Sequence, residues 1–448
     1  LKELAVRYPN VAAASTEIIN LQAILHLPKG TEHYVSDVHG EYEKFSHIIR
    51  NGSGAIRSRI EDEFGNTLTT KQKKNLASVI YYPEQKMDLM EKELPKNFLL
   101  EWQHDTMVRL VHVARSVGNK YTRSKVRKAM SPEFAYVMEE LMVEHRRADK
   151  KRYVEQILET IIMTGRVRQF IAAMAHLIQD LTIDHLHVIG DIYDRGSGPH
   201  RIMDCIMKTA NVDIQWGNHD ISWMGAAAGN LACICNVLRI AISYNSFDVL
   251  GDGYGINLRP LSMFAAKVYQ DDPCVQFMPK ILDENTYDAV DPGLAAKMHR
   301  AIAVIQFKVE EAMMQRHPEY EMENRMLLTA VDYKKGTVTI EGKEYPMLDM
   351  NFPTIDPRNP LELTRGEKEL LRTLCASFRH SYVLQRQVKF IYSHGGIYKC
   401  YNSNLLYHGC IPMEQNGEFS AVALNGQALK GKHRPFNPFW MESCRLCF

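Results

Sequence analysis

The sequence predicts an α/β fold in which short apolar strands end in charged turns and long helical segments fill the intervals between them. The first observation behind that prediction is a trio of stretches with one pattern. HYVSDVHGE (33–41), HLHVIGDIYDRGSG (185–198) and VDIQWGNHD (212–220) each set a β-prone run ahead of a glycine and a cluster of oxygen and nitrogen donors. The second is that apolar residues recur at spacings of three and four through most of the rest. In open α/β sheets ligands sit at the carboxyl ends of strands. One D-x-H-G is a weak signal, but D-x-H-G, G-D-x-x-D-R-G and G-N-H-D in order need three independent coincidences.

Composition bounds the rest. With 448 residues, one large or two to three ordinary domains are expected, and 45% hydrophobic with 24% charged residues is the composition of a globular protein. A formal net charge of +1 gives no general electrostatic case for nucleic acid or an anionic membrane. No apolar run reaches membrane-spanning length, and no signal peptide is visible. The chain opens at Leu1 rather than Met, so a native N-terminus is expected upstream. Of nine cysteines only Cys444 and Cys447 have C-x-x-C spacing, without the second pair a zinc ribbon requires. An odd number without a secretion signal suggests reduced thiols and a cytoplasmic setting.

Taken in order, residues 1–30 read as a helix with Leu4, Ile18, Ile19, Leu21, Ile24 and Leu25 as apolar positions, stopped at Pro28-Lys29-Gly30. The first motif strand follows, then a helix with Phe45, Ile48 and Ile49 on one face, ended by Gly52-Ser53-Gly54. The interval from Asp37 to Asp191 is far longer than a crossover needs and reads helical over 87–117 and 154–181. Between these lie Lys120, Arg123, Lys125, Arg127 and Lys128. A solvated face or hinge is the preferred reading of that run, and an effector or partner site the sharper one.

After GNHD, residues 221–245 are rich in small residues and read as a close-packed helix. Gly251 to Gly255 follow no clear strand, so a turn is preferred over a phosphate loop. Residues 293–317 read as a helix, 336–347 as a hairpin turning at Glu341-Gly342, and 363–384 as helical. KFIYSHGG (389–396) and NLLYHGC (404–410) both read as strands ending in His-Gly, and His394 and His408 compete for a further ligand turn. The last stretch, 431–448, has no clear periodicity.

Asp37, His39 and Asp191 compose one mixed oxygen and nitrogen site, and Asp191, Asn218 and a later histidine a second that shares Asp191. Carboxylate, imidazole and amide without thiolate suit Mn²⁺, Mg²⁺ or Fe²⁺ better than structural zinc. Two such ions about 3.5–4 Å apart clamp a phosphate and activate a water between them. Arg195 is placed to hold phosphoryl oxygens, His219 to protonate the leaving alkoxide, and Asp194 to fix the His219 tautomer. Taken singly, Asp37 and Asp191 read equally well as helix N-caps, and His39 and His219 as satisfied turn histidines. The coincidence of three strand ends favours the metal reading. His185, His187, His394 and Arg201 keep structural readings.

SDVHGEYEKFSHIIRNGSG, HVIGDIYDRGSGPHRIMD, IQWGNHDISWMGAAAGN and YNSNLLYHGCIPM resemble the class III fructose-1,6-bisphosphatases of bacteria, within the calcineurin-like metallophosphoesterase superfamily. The similarity runs from about Leu1 to about Lys430. It implies a two-sheet β-sandwich flanked by helices, with large helical insertions. Core segments are then expected at 1–51, 181–260 and 385–430, insertions at 52–180 and 261–384, and an atypical tail at 431–448. It implies a cytoplasmic, gluconeogenic, Mn²⁺-dependent enzyme that hydrolyses the 1-phosphate of D-fructose 1,6-bisphosphate, with no nucleic acid or membrane partner and a homo-oligomer left open. Position by position it puts Asp37, His39, Asp191, Asn218 and His408 on metal ligands and His219 on the general acid.

The superfamily supplies a further ligand from a G-H-T-P-like segment. Here the only later histidine is His433, in KHRP, within a tail that reads as truncated or frameshifted. Weaker Mn²⁺ binding at Asn218/His408 than at Asp37/His39 is therefore expected. The alternatives are a phosphoprotein or dinucleoside-polyphosphate phosphatase, and an inactive fragment that acts as a binding module.

Overall fold

A computed structural model describes residues 2–144, 150–280, 291–320, 322–410, 413–424 and 427–429. The readings made for 431–448, with His433, Cys444 and Cys447, lie outside them. The chain divides into two compact units, Leu1–His33 with Ser46–Leu186, and Tyr34–Phe45 with His187–Phe448. Among the described residues no helix is long and apolar enough to cross a membrane.

The first unit is built of helices. Those expected over 87–117 and 154–181 are each broken in two. Leu94 and Pro95 separate Pro83–Glu93 from Lys96–Gly118, and Thr164 to Arg166 separate Lys151–Met163 from Val167–Thr182. The long helices Lys96–Gly118 and Val167–Thr182 bury Leu110, Val113, Phe170, Ile171, Met174 and Ile178 completely. Each such side chain contributes about 1.5–3 kcal/mol over its exposed state. The single helix expected at the start is two, Lys2–Arg7 and Val11–Leu25, because Pro9 interrupts it and Asn10 caps the second by accepting from Ala13 N at 2.9 Å. Leu4, Ile18, Ile19, Leu21, Ile24 and Leu25 are all exposed, so they form no core.

The second unit carries most of a four-stranded sheet. Its strands are β1 (Glu32–Ser36), β2 (His185–Ile189), β3 (Val212–Gln215) and the two-residue strand Gly395–Gly396, in that order across the sheet. The last pairs with β3 in parallel, Ile214 opposite Gly395 and Gln215 opposite Gly396. All four residues of β3 are buried, as expected of a strand covered on both faces. Sheet and helices together make a mixed α/β protein with a parallel sheet, and the chain leaves each of the first three strands directly into one of the motif turns.

Helices follow β3. The one expected over 221–245 is two, Asn218–Ala228 and Leu231–Ser243, because Gly229 ends the first in a left-handed conformation and Asn230 caps the second. Pro292–Arg316 is one continuous helix, as its spacing predicts. Residues 337–346 form the expected hairpin, with Glu341 and Gly342 both at positive φ in its turn. KFIYSH is a correction: it is the last turn and a half of the helix Tyr382–His394, and only Gly395–Gly396 is strand. His394 stacks on Phe390 at 4.0 Å, one helical turn back. Asn404–Tyr407 is a strand as expected, paired with Tyr398–Tyr401.

One fully buried ion pair braces the second unit. Lys308 donates to the carbonyls of Thr354 at 2.6 Å and Glu362 at 3.0 Å and to the Glu367 carboxylate at 2.9 Å. Removing one partner strands the other charge out of water. Glu367→Ala is therefore expected to cost about 3–5 kcal/mol in urea denaturation, and Lys308→Met combined with Glu367→Leu less than either single change.

Candidate active site

Three turns converge. The turn after β1 zips onto the turn after β2: Asp37 N donates to Gly190 O at 3.2 Å, His39 N to Asp191 O at 2.9 Å, and Gly40 N to Ile192 O at 2.9 Å. In return Gly196 N donates to His39 O at 2.8 Å. Gly217 brings in the third turn. A Cβ built there would collide with Asp191 Oδ1 and Asp191 N, so only glycine permits the approach. Gly190 plays the same part for the fourth segment, since a Cβ there would lie 2.5 Å from His408 Nδ1. Asp37, His39, Asp191, Asp194 and Arg195 all have φ between 44° and 69°.

Five of the expected residues meet around Asp191. Ligand atoms of Asp37, Asp191 and His408 lie within 4.8 Å of one another, and so do those of His39, Asp191 and His219. His408 Nε2 is 3.3 Å from Asp191 Oδ2, and His39 Nε2 is 3.9 Å from both the Asp37 and Asp191 carboxylates. Each imidazole is tethered through its other nitrogen. His408 Nδ1 donates to Ile189 O at 3.0 Å, His39 Nδ1 to Tyr193 O at 3.3 Å, and His219 Nδ1 to the Asp194 carboxylate. That tethering fixes the Nδ1–H tautomer and aims Nε2 inward, as metal-binding histidines require. Two carboxylates with two or three imidazoles around a shared Asp191 fit divalent cations with mixed oxygen and nitrogen preference.

Electrostatics agree with that fit. For His408, burial works against the imidazolium, but the Asp191 carboxylate outweighs it and holds the ring's pKa up to about 9. For His219, burial is likewise outweighed by Asp194, Asp191 and Asp220, and its pKa is raised. For His39, burial prevails, reinforced by Arg195, and the pKa is lowered. Asp191 is held below the usual carboxylate range, because His408 and His219 overcome its burial. The cluster thus attracts positive charge at its centre.

Asn218 opens the helix Asn218–Ala228, its carbonyl accepting from Ser222 Oγ at 3.0 Å, and with His219 it borders a cavity of about 500 Å³. Arg195 is held through its backbone, its carbonyl accepting from Ser246 Oγ at 2.7 Å, and its guanidinium is near enough to depress His39. Asp194 accepts from Trp223 Nε1 at 2.9 Å on its other oxygen, so the carboxylate facing His219 is pinned on both sides. Of the residues given structural readings, His185 and His187 bring ring nitrogens within 4.8 Å of one another and of the Asp213 carboxylate, a third grouping of metal-binding atoms. His187 is buried between Tyr34 and Tyr401 and donates to Asp213 at 3.0 Å, while Arg201 lies 3.7 Å over the Tyr42 ring.

Sequence reasoning missed Asp220. Completely buried, it accepts from Asp191 N at 2.9 Å, Ile192 N at 2.8 Å, Tyr193 N at 3.4 Å and Gly217 N at 2.8 Å. Burial, with Asp191 beside it, pushes its pKa up to about 7 against the pull of those amides. The available signal was its place as the third residue of a helix capped by Gly217, the acidic position of a capping box. Asp220→Asn replaces one acceptor oxygen by a donor facing amide N–H groups. It is expected to destabilise the protein by roughly 3 kcal/mol or more in urea denaturation.

A family model described as Firmicute fructose-1,6-bisphosphatase matches residues 1–435. The chain is 52% identical over 434 residues to the class 3 fructose-1,6-bisphosphatase of Fusobacterium nucleatum, covering 96% of this chain and 66% of that protein. It is 49% identical over 430 residues to the Listeria innocua protein of the same name, with coverage of 96% and 66%. With that of Clostridium botulinum strain Langeland it shares 52% over 433 residues, covering 96% and 64%. The chain thus spans slightly under two thirds of the length of these relatives. No solved structure matches. Strand-end motifs, their convergence on Asp191 and similarity along nearly the whole chain lead to one conclusion: the chain belongs to the Firmicute fructose-1,6-bisphosphatase family.

Proposed function

We propose that the protein hydrolyses the 1-phosphate of D-fructose 1,6-bisphosphate to fructose 6-phosphate and phosphate, with two divalent cations, Mn²⁺ by preference, held by Asp37, His39, Asp191, Asn218 and His408. The observation that carries the proposal is the double grouping of carboxylate and imidazole atoms around the single residue Asp191. When bound, such a pair neutralises phosphate charge and brings the pKa of a water at phosphorus towards neutrality. The names of the class 3 relatives supply the substrate, and the donor set favours hard or borderline ions.

The chain's own residues do the rest. Arg195 offers its guanidinium to phosphoryl oxygens as charge builds on them. His219 gives its proton to the leaving sugar alkoxide, and the Asp194 carboxylate holds the ring in the donating orientation while Trp223 fixes that carboxylate. A calcineurin-like two-sheet sandwich is the finer fold reading, supported by the motif order and by turns that follow strands. A cytoplasmic setting accords with the seven described cysteines, all of them free thiols.

The purified protein is expected to release phosphate from fructose 1,6-bisphosphate with Mn²⁺, to lose activity on chelation, and to regain it on adding Mn²⁺ back. Asp191→Asn should abolish turnover, and His219→Ala should lower kcat by about 10²–10⁴-fold. Faster release from a phosphopeptide or a dinucleoside polyphosphate would reassign the substrate. Chelator-resistant turnover, or none with any of the three, would overturn the metallohydrolase reading.

A further inference from the structure

The cavity that Asn218 and His219 border is walled by two helices that present polar residues among apolar ones such as Ile240 and Phe307. On Leu231–Ser243, Asn236 and Arg239 sit three positions apart, and on Pro292–Arg316, Gln306 and Glu310 sit four apart, so each pair shares a face. Most inward positions on these helices are apolar, as in a core. Arg300, Lys308 and Glu311 are polar exceptions engaged elsewhere, and the remaining ones form a ladder that starts at the catalytic turn. Ser222 Oγ donates to Asn218 O at 3.0 Å, Asn236 Nδ2 donates to Ser222 Oγ at 3.2 Å, and Arg239 donates to Asn236 Oδ1 at 3.1 Å. Arg239 Nε also donates to Gln306 Oε1 at 2.7 Å, and Gln306 donates onward to Glu310 at 2.6 Å.

The ladder fixes a planar guanidinium in the cavity wall. Two of its five donors are spent on Asn236 and Gln306, and its charge is also felt by the Glu310 carboxylate on the same wall. A helix–helix strut does not need an arginine so held, but a phosphate dianion does. Its oxygens match the fork, and the orientation is set before the ligand arrives. Arg325 lines the same cavity, so two guanidinium groups stand there against the single Glu310 carboxylate, whose pKa both act to lower against its burial.

We propose that Arg239, oriented by Asn236 and Gln306, binds the phosphate that is not cleaved, the 6-phosphate, while the 1-phosphate lies at Asp191. Arg239 is then the residue that selects a sugar bisphosphate over a monophosphate. The inference rests on the proposed bisphosphatase activity and names the subsite that activity requires.

The test compares fructose 1,6-bisphosphate with p-nitrophenyl phosphate, which has no second phosphate, on the wild type, Arg239→Met and Arg239→Lys. Expected for Arg239→Met is a KM for the bisphosphate raised about 10–100-fold, so that the ratio of the two kcat/KM values falls by a similar factor. Arg239→Lys, which keeps the charge and loses the fork, should fall in between. Equal loss on both substrates, or a bisphosphate KM unmoved in both variants, overturns the subsite. A wild type that cleaves p-nitrophenyl phosphate but not the bisphosphate overturns the substrate reading instead, and the subsite with it.

Discussion

The Asp220 carboxylate is the constraint on which the site depends. Its two oxygens take four backbone N–H groups, three from the turn after β2 and one from the turn after β3. A carboxylate completely out of water costs several kcal/mol of solvation, and only a full set of donors offsets that. The arrangement is cooperative. The turn around Asp191 keeps its shape because Asp220 holds its amides, and Asp220 stays buried because those amides exist. The turns that carry Asp191 and Asn218 are thereby locked to one another, and the His219 amide adds to the lock by donating to Asp191 Oδ1 at 3.3 Å.

Locking matters because the turns are strained. Five non-glycine residues in or beside the cluster adopt left-handed backbone conformations, among them His39 and Arg195, whose long side chains are not the short Asn or Asp type that favours this region. Such residues cost about 1–3 kcal/mol each and persist only where surrounding contacts over-determine them. Here the contacts are the inter-turn amide bonds and the Asp220 clamp. The return is directional: a left-handed residue turns its side chain where an extended strand would not, and donors from separate strand ends then face one point. Tethering each imidazole through Nδ1 completes the work, since ring orientation is fixed by backbone carbonyls and a buried carboxylate rather than by a cation.

Much of this was legible in the sequence, and the failures have physical causes. A glycine followed by Asp, His or Asn after a short β-prone run marks a turn with donors, and the turns lie where that pattern puts them. Asp220 escaped because spacing reports proximity and not burial: in GNHD, Asn218, His219 and Asp220 look alike, and only coordinates show that the last faces amides instead of the cluster. KFIYSH was misread because Phe390, Ile391 and Tyr392 form a short β-prone apolar run, while Val388 and Ile391 lie three apart and are buried as on a helix. Over six residues the two periods cannot be told apart. At the N-terminus, one proline was enough to divide a helix that apolar spacing alone made continuous.

Charge is the property that sequence and structure weigh most differently. The densest basic run, Lys120 to Lys128, invites an anion-site reading, yet its cations that have described contacts are already engaged. Lys120 donates to Thr31 Oγ1 at 2.7 Å and Thr182 O at 3.3 Å, Lys125 pairs with Asp184 over the Tyr121 ring, and Arg127 pairs with Glu139 at 3.0 Å. Burial, with Arg59 nearby, lowers the Lys120 pKa to about 8. Arg239 stands alone among apolar neighbours in LACICNVLRIAIS and carries no compositional signal. What separates it from the lysines is geometry: two donors fix the guanidinium plane, and Arg239 lines a cavity that His219 lines too. A cation serves a ligand when it is held in place with donors to spare, and that condition is set by neighbours brought from distant parts of the chain.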